Sequence, residues 1–535
     1  MEAAPARDPR GAGPSEGVFV LALVGVLVLI QSVGIGRPFL RQHESVGTEF
    51  SKHARNHLKF GLARTRGLRL DVSGPSLEAY SDYRRYFYPD HPPLSALILA
   101  GVYSIFGSRE VVYRTTLIVF SVLSVLLFRR IARRLLPDPY DRAASAGFAL
   151  LPMFAYYSVV TCLQVTALTG ILAGFLSYLR WREGGGRWNY LGLLGSNLFA
   201  CLCAWPGYYL ALVLLMAHPR KGGQGFWKVA LLLPFNLCLF GLYLGWLATV
   251  DPSGLDPLRH LLRAALSRSS LQGPSLPRWI WGEGREIALM FTVPAVLLTG
   301  VGMARGFRQS PPESFRPVAA LALLGLDEIL FAQAAACHEY YSYYLAPFLA
   351  LSAGQGLAFL SSRLRTGRII VLGGAAVLFA AQSAWVLNNR LRREGGYEFY
   401  QKLGLSLSEA TEPRDRILLL TDDLRFYTPY YGDRYVLWYD RRHRRLQEEY
   451  SGDPVEGVDG PALRDFIAGH AGSFQYVVTA DPEGIRRNVG FLSSASGEVL
   501  RSFGVVEDEK DFLRSLCGPP RERRGFLFWR LPRSP

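Results

Sequence analysis

The chain has 535 residues, half of them apolar, with a formal charge of +15 and six cysteines. The apolar half is concentrated before residue 389, and the basic residues fall in short clusters between apolar segments rather than along one stripe, which argues against a nucleic-acid-binding protein. Cys162, Cys201, Cys203, Cys238 and Cys337 lie in or at the ends of apolar segments and only Cys517 lies beyond them, so a disulfide framework is not expected.

In chain order, residues 18–35 form an apolar run too long for the h-region of a cleaved leader, and a retained membrane anchor is expected. Runs at 227–250, 287–303 and 369–387 also supply the roughly 20 residues that a helix rising about 1.5 Å per residue needs to cross about 30 Å of hydrocarbon. Assigning basic short loops to the cytoplasm orients the chain. Arg129, Arg130, Arg133, Arg134 and Arg142, then Arg180, Arg182 and Arg187, then Arg220, Lys221 and Lys228, fall on one side. Arg305, Arg308 and Arg316, and then Arg363, Arg365 and Arg368, join them.

That grouping predicts eleven spans at 18–36, 114–130, 143–159, 163–180, 189–203, 205–218, 227–250, 285–304, 316–336, 343–361 and 368–389. The tail 1–17 is then cytoplasmic, the membrane domain covers 18–390 with an outer loop at 37–113, and 391–535 forms an extracytoplasmic soluble domain. Residues 92–106 are apolar but would invert every later loop if they crossed, so they are expected as a helix lying on the outer face. A second long outer loop covers 251–284. In the tail, strand-like runs at 416–421, 435–439, 476–479 and 525–531 and a helical stretch at 461–471 predict a small α/β domain.

Three polar clusters fall on the predicted outer face. The first loop opens with Arg41-Gln42-His43-Glu44-Ser45 and continues through Glu49, His53, Arg55, Asn56 and His57 to Gly61. Its far end carries Tyr88-Pro89-Asp90-His91-Pro92-Pro93-Leu94, and Cys337-His338-Glu339-Tyr340-Tyr341-Ser342-Tyr343-Tyr344 follows the ninth span.

Glu49, His53 and His57 are spaced four apart, so on a helix they share a face and could ligate a divalent metal; a solvated helix face is the alternative. Asp327 and Glu328 are adjacent carboxylates inside a predicted span, read as partners of a buried polar group, with a substrate-path role as the alternative.

The early loop carboxylate, the Ala54-Arg55-Asn56 helix end before Gly61, the His91-Pro92-Pro93-Leu94 run and the His338-Glu339-Tyr340-Tyr341 run resemble the GT-C membrane glycosyltransferases. The nearest branch holds protein O-mannosyltransferases and aminoarabinose transferases, and the resemblance covers about residues 15–390. It implies a polytopic α-helical GT-C fold and transfer of a sugar from a polyprenyl-phosphate donor to a lipid, glycan or protein acceptor on the extracytoplasmic side.

By position in the family pattern, Glu44 is the expected general base. His43, Arg55, His91, Arg114, His338, Glu339 and Tyr341 are the expected substrate-binding residues, the cations serving the leaving phosphate. The resemblance leaves divalent-metal dependence open and points to a bacterial inner membrane, with the endoplasmic reticulum as the alternative. The sequence departs from relatives that carry acids where it has Gln164 and Ala204, and that begin the loop with Asp where it has Glu44. Two rival readings stand beside this one, a non-catalytic scaffold derived from such an enzyme and a polytopic transporter. A transporter predicts inverted repeats, and none is evident in the sequence.

Overall fold

The computed structural model describes residues 15–80, 82–219, 225–250, 256–270, 274–308, 315–364, 368–392, 397–420, 427–440, 444–448, 455–470, 473–480 and 507–532. The first fourteen residues of the predicted cytoplasmic tail, and Arg220, Lys221 and Arg365 of the basic loops, lie outside the described residues.

The chain is a polytopic helical membrane protein followed by a small sheet. Among the described residues, Glu110–Leu135, Cys162–Gly184, Phe226–Ala248 and Glu339–Arg363 are long and apolar enough to span. Leu276–Met290 and Val293–Phe307 make a fifth candidate if that pair, bent by 106°, counts as one.

The count of eleven is not confirmed, for a local reason: several expected spans are broken. The stretch expected at 143–159 is split at Pro152 into Tyr140–Leu150 and Pro152–Tyr157, as a ring without an N–H breaks a helix. The stretch at 316–336, which carries Asp327 and Glu328, is divided into Phe315–Ala320, a 3-10 turn at Leu321–Gly325, Leu326–Leu330 and Ala332–Ala335. Helices Glu16–Gln31 (α1) and Arg368–Arg392 stand where the first and last spans are expected.

Two membrane helices, Val293–Arg308 and Ala346–Arg363, meet at glycine. A Cβ on Gly302 would lie 2.3 Å from the Ser352 carbonyl oxygen, and one on Gly356 2.0 Å from that of Leu298. Apolar burial gives no net attraction between helices in lipid, so backbone approach of this kind supplies the packing.

The first outer loop folds on helix Ser45–Phe60 (α2). Residues 92–106 form Leu94–Phe106, thirteen residues and so only about 20 Å long. This helix packs on α2, where Ser51 Oγ and Tyr103 OH are 2.8 Å apart.

Beyond the last membrane helix, six strands run in the order β3-β2-β1-β4-β6-β5: β1 (Arg416–Leu420), β2 (Tyr435–Asp440), β3 (Arg445–Glu448), β4 (Tyr476–Ala480), β5 (Arg521–Arg523) and β6 (Phe526–Arg530). β1 pairs in parallel with β2 and β4, and the outer pairings are antiparallel. Four strands and the helix Gly460–Gly469 fall on the expected runs. β3 and β5 were not expected, being short and charged, nor were the helices Glu398–Ala410, Tyr427–Gly432 and Glu507–Cys517.

This domain docks on α2. Lys59 pairs with Asp433 at 2.6 Å, and the Arg55 guanidinium lies 4.1 Å over the Tyr430 ring while donating to the Tyr430 carbonyl at 2.6 Å.

Candidate functional site

A cavity of about 300 Å³ opens where the three polar clusters of the sequence meet. It is walled by α2 (Val46, Glu49, Phe50), the 88–91 segment, Gln164, the Ala204-Trp205-Pro206 turn, helix Asp256–Arg268 and the His338–Tyr344 stretch, with Tyr397 entering from the far side of the last membrane helix.

The shape of the loop start decides which residues face it. His43 takes a left-handed backbone conformation, φ 63°, which a non-glycine residue rarely adopts. Its ring enters the cavity wall, 3.6 Å from Glu339 Oε1, whereas Glu44 turns the other way. Glu44 is buried, accepts from Arg114 Nη2 at 2.8 Å and from the Arg41 amide at 2.8 Å, and does not line the cavity. Glu44, expected as the base, thus stands apart from this cavity, and a base must reach the proton it takes.

Arg114 is likewise enclosed, donating to Glu44 and to the carbonyls of Ile35 and Pro38 at 2.8 and 3.2 Å. Arg55 serves the domain interface described above. Glu339 sits behind the wall, where Tyr157 donates to it and Arg390 Nη2 donates at 2.6 Å. Of the predicted binding residues, His43, His91, His338 and Tyr341 are brought together in the lining; Arg55, Arg114 and Glu339 are not.

The proposed metal ligands also separate. Glu49 lines the cavity, His53 is fully buried against Tyr88 with ring centroids 5.8 Å apart, and His57 Nδ1 is 2.9 Å from Thr65 Oγ1. Burial and the charge of Arg69 hold both imidazoles below their usual range, His57 at about 4. Among the described residues no group of three His, Cys, Asp or Glu side chains could hold a metal ion. Sharing a helix face put these three in register but not around one point.

Three carboxylates line the cavity, and they differ in freedom. Asp90 is held by Arg268 and lies 3.2 Å from His260 Nε2. Burial pushes this carboxyl up, but His260 and Arg268 outweigh it and keep it below the usual carboxylate range. Asp327 accepts from Tyr209 OH at 2.5 Å. Glu49 makes no hydrogen bond among the described residues, and its nearest charge is Arg69 Nη1 at 3.6 Å. Burial raises it to about 7 against the pull of Arg69, the value that suits a proton acceptor at neutral pH.

Arg69 is itself fully buried, its guanidinium 5.0 Å over Phe50 and 4.6 Å over Tyr88, two rings of the cavity wall. His91 Nδ1 and His338 Nδ1 are buried with no partner among the described residues. Burial lowers His338 to about 4 and holds His91 well below its usual value, so both rings are neutral and able to meet a ligand atom.

Tyr243 and Trp205 keep this wall in place. The carbonyls of Pro89, Asp90 and His91 accept from Tyr243 OH at 2.8 Å, Trp205 Nε1 at 2.5 Å and Tyr243 OH at 3.3 Å. Side chains thereby satisfy backbone groups that no regular element pairs.

Asp90, Arg268, His260 and Arg69 were not singled out as site residues in the sequence. Asp90 stood immediately before the His-Pro-Pro-Leu run, and His260 and Arg268 stood in the long loop 251–284; nothing in the sequence marked them as partners. Gln164 and Ala204, where relatives carry acids, both line the cavity.

Residues 90–219 match the family model for dolichyl-phosphate-mannose-protein mannosyltransferase. No curated protein sequence gives a match. Among solved structures, ArnT from Cupriavidus metallidurans bound to undecaprenyl phosphate superposes with a TM-score of 0.60 at 14% identity, over 90% of this chain and 96% of that one. The Archaeoglobus fulgidus oligosaccharyltransferase in complex with Zn and sulfate matches with 0.53 at 11% identity, over 90% and 70%. The arabinofuranosyltransferase AftD from Mycobacteria (mutant R1389S, class 2) matches with 0.50 at 12%, over 88% of this chain and 37% of that one. The chain thus shares the fold of these membrane glycosyltransferase structures, and the segment that contains the His-Pro-Pro-Leu run is similar to the mannosyltransferase family.

Proposed function

We propose that this protein transfers a sugar from a polyprenyl-phosphate donor to an acceptor at the extracytoplasmic face of the membrane, with Glu49 as general base. The reading is carried by one observation: Glu49, which makes no hydrogen bond among the described residues, shares a cavity with Arg268, His91 and His338. The ArnT neighbour bound to undecaprenyl phosphate supports the donor class.

In the proposed step the acceptor hydroxyl attacks the anomeric carbon, its proton passes to the Glu49 carboxylate, and the bond from that carbon to the phosphate oxygen breaks. Polyprenyl phosphate leaves with the bonding pair. Arg268 and the two neutral imidazoles stabilise its oxygens, since donors aimed at developing charge act strongly where water is excluded. Glu44 serves instead as the buried counter-ion of Arg114, fixing the turn that presents His43. The orientation that puts this cavity outside, with a cytoplasmic N-terminus, rests on the distribution of basic loops, and the bacterial inner membrane rests on the family resemblance.

The experiment is transfer of radiolabelled sugar from a panel of polyprenyl-phosphate sugars to membrane extracts, comparing the native protein with Glu49→Gln. A product formed by the native protein and lost in the variant is expected. Equal product from both would remove Glu49 from the chemistry, and product from neither, with donor binding retained, would favour the scaffold reading.

A further inference from the structure

A second cavity, of about 480 Å³, lies between the outer loop and the C-terminal sheet, and the chemistry described above does not use it. That volume falls within the roughly 300–1,000 Å³ of ligand pockets. Its wall carries the rings of Tyr86, Tyr435, Phe466 and Phe474 and the basic side chains of Arg85, Arg416 and His470, beside five aliphatic side chains and Ser473. No acidic side chain lines it among the described residues.

The Arg416 guanidinium lies 4.5 Å over the Tyr435 ring and 5.7 Å from that of Phe474. Neither Arg85 nor Arg416 makes a side-chain hydrogen bond or ion pair among the described residues, and Arg416 Nε is buried without a partner. A guanidinium held by aromatic faces, with no acceptor among the described residues, is suited to a carboxylate or phosphate oxygen pair.

The two cavities share one stretch of chain. Arg85 and Tyr86 line this one, while Tyr88, Asp90 and His91 line the first. Two residues of extended backbone, about 7 Å, separate Tyr86 from Tyr88, and an antiparallel bridge between Leu70 and Phe87 fixes that wall. An acceptor long enough to reach from one cavity to the other would be held at its distal end while its reacting hydroxyl meets Glu49.

We infer that this second cavity binds an anionic saccharide, the distal part of an acidic acceptor glycan, through Arg85 and Arg416 with the aromatic wall against the sugar ring. Saccharide, rather than another anion, rests on the glycosyltransferase reading above; the positive, aromatic character of the cavity does not.

The test is calorimetric titration of the detergent-solubilised full chain with a uronic-acid disaccharide (cellobiouronate), its neutral counterpart cellobiose, and inorganic phosphate. Cellobiouronate is expected to bind at least tenfold more tightly than either of the others. Arg85→Gln and Arg416→Gln should each weaken it about tenfold, and Ala462→Trp, which fills the cavity from an exposed helix position and leaves both arginines in the chain, should do the same. Equal affinities for the charged and neutral disaccharides, or cellobiouronate binding unmoved by Arg416→Gln and Ala462→Trp, would overturn the inference. Phosphate binding as tightly as cellobiouronate would overturn the saccharide part. Glu49→Gln should retain this binding while losing transfer. Binding intact in a native chain that transfers no sugar would sink the catalytic reading and leave the second cavity's assignment standing.

Discussion

Arg114 donates to Glu44 across 2.8 Å with both side chains sealed from solvent, so the first acidic residue of the outer loop is spent on holding the loop's entry. Removing one partner of a buried pair strands the other, at about 3–5 kcal/mol. Glu44→Gln is therefore expected to lower expression and thermal stability. The mirror variant Glu49→Gln, which breaks no hydrogen bond among the described residues, should fold normally and lose about 10²- to 10⁴-fold in transfer rate, the range for a general base. Measuring melting temperature and turnover for both separates the roles, and a stable, inactive Glu44→Gln would reverse the assignment.

The pH profile follows from the same residue. Glu49 accepts a proton only when ionised, and burial puts it at about 7. Transfer should therefore rise with pH through about 7 and level off above it. Arg69 at 3.6 Å pulls this value down, so Arg69→Gln should move the rising limb upward by about 1 pH unit. A limb that stays in place in this variant would show that the profile belongs to another group.

Asp90 is the anchor of the helix Asp256–Arg268 through Arg268 and His260. Asp90→Asn should reduce kcat/KM for the donor about tenfold and Arg268→Gln further, since it also removes the cation that meets the leaving phosphate, with the double variant little worse than Arg268→Gln alone because Asp90 acts through that arginine. Multiplying effects would indicate that the two act separately.

Docking of the C-terminal domain depends on Tyr431, whose hydroxyl accepts from the Phe39 amide at 3.0 Å and donates to Glu110 Oε1 at 3.0 Å. Tyr431→Phe leaves both groups without that partner and is expected to cost about 1–3 kcal/mol. It should be read as faster release of the C-terminal domain under limited proteolysis with little change in donor affinity, and unchanged proteolysis would mean that Lys59–Asp433 and Arg55–Tyr430 hold the domain alone.

Much of the architecture was legible. Four of the six tail strands stood out because β-branched and aromatic residues alternate or cluster there, and the helix at Gly460–Gly469 stood out by its period. The edge strands β3 and β5 did not, since Arg445–Glu448 and Arg521–Arg523 are charged and owe their extended form to a neighbouring strand. The broken spans around Pro152 and Asp327 read as continuous because hydropathy averages over a window and does not register where a helix is interrupted.

By itself the sequence determined what depends on composition and local pattern: a membrane protein, its polar clusters, the His-Pro-Pro-Leu run and the family it resembles. Only the tertiary structure decided which members of those clusters meet. His43 and Glu44 are neighbours in the chain, yet a left-handed turn sends one to the cavity and the other to Arg114. Asp90 and Arg268 are 178 positions apart, yet they form one ion pair. The reason is geometric. Spacing along one element fixes which side chains share a face, but a site closes around a point between elements, and only their packing places that point.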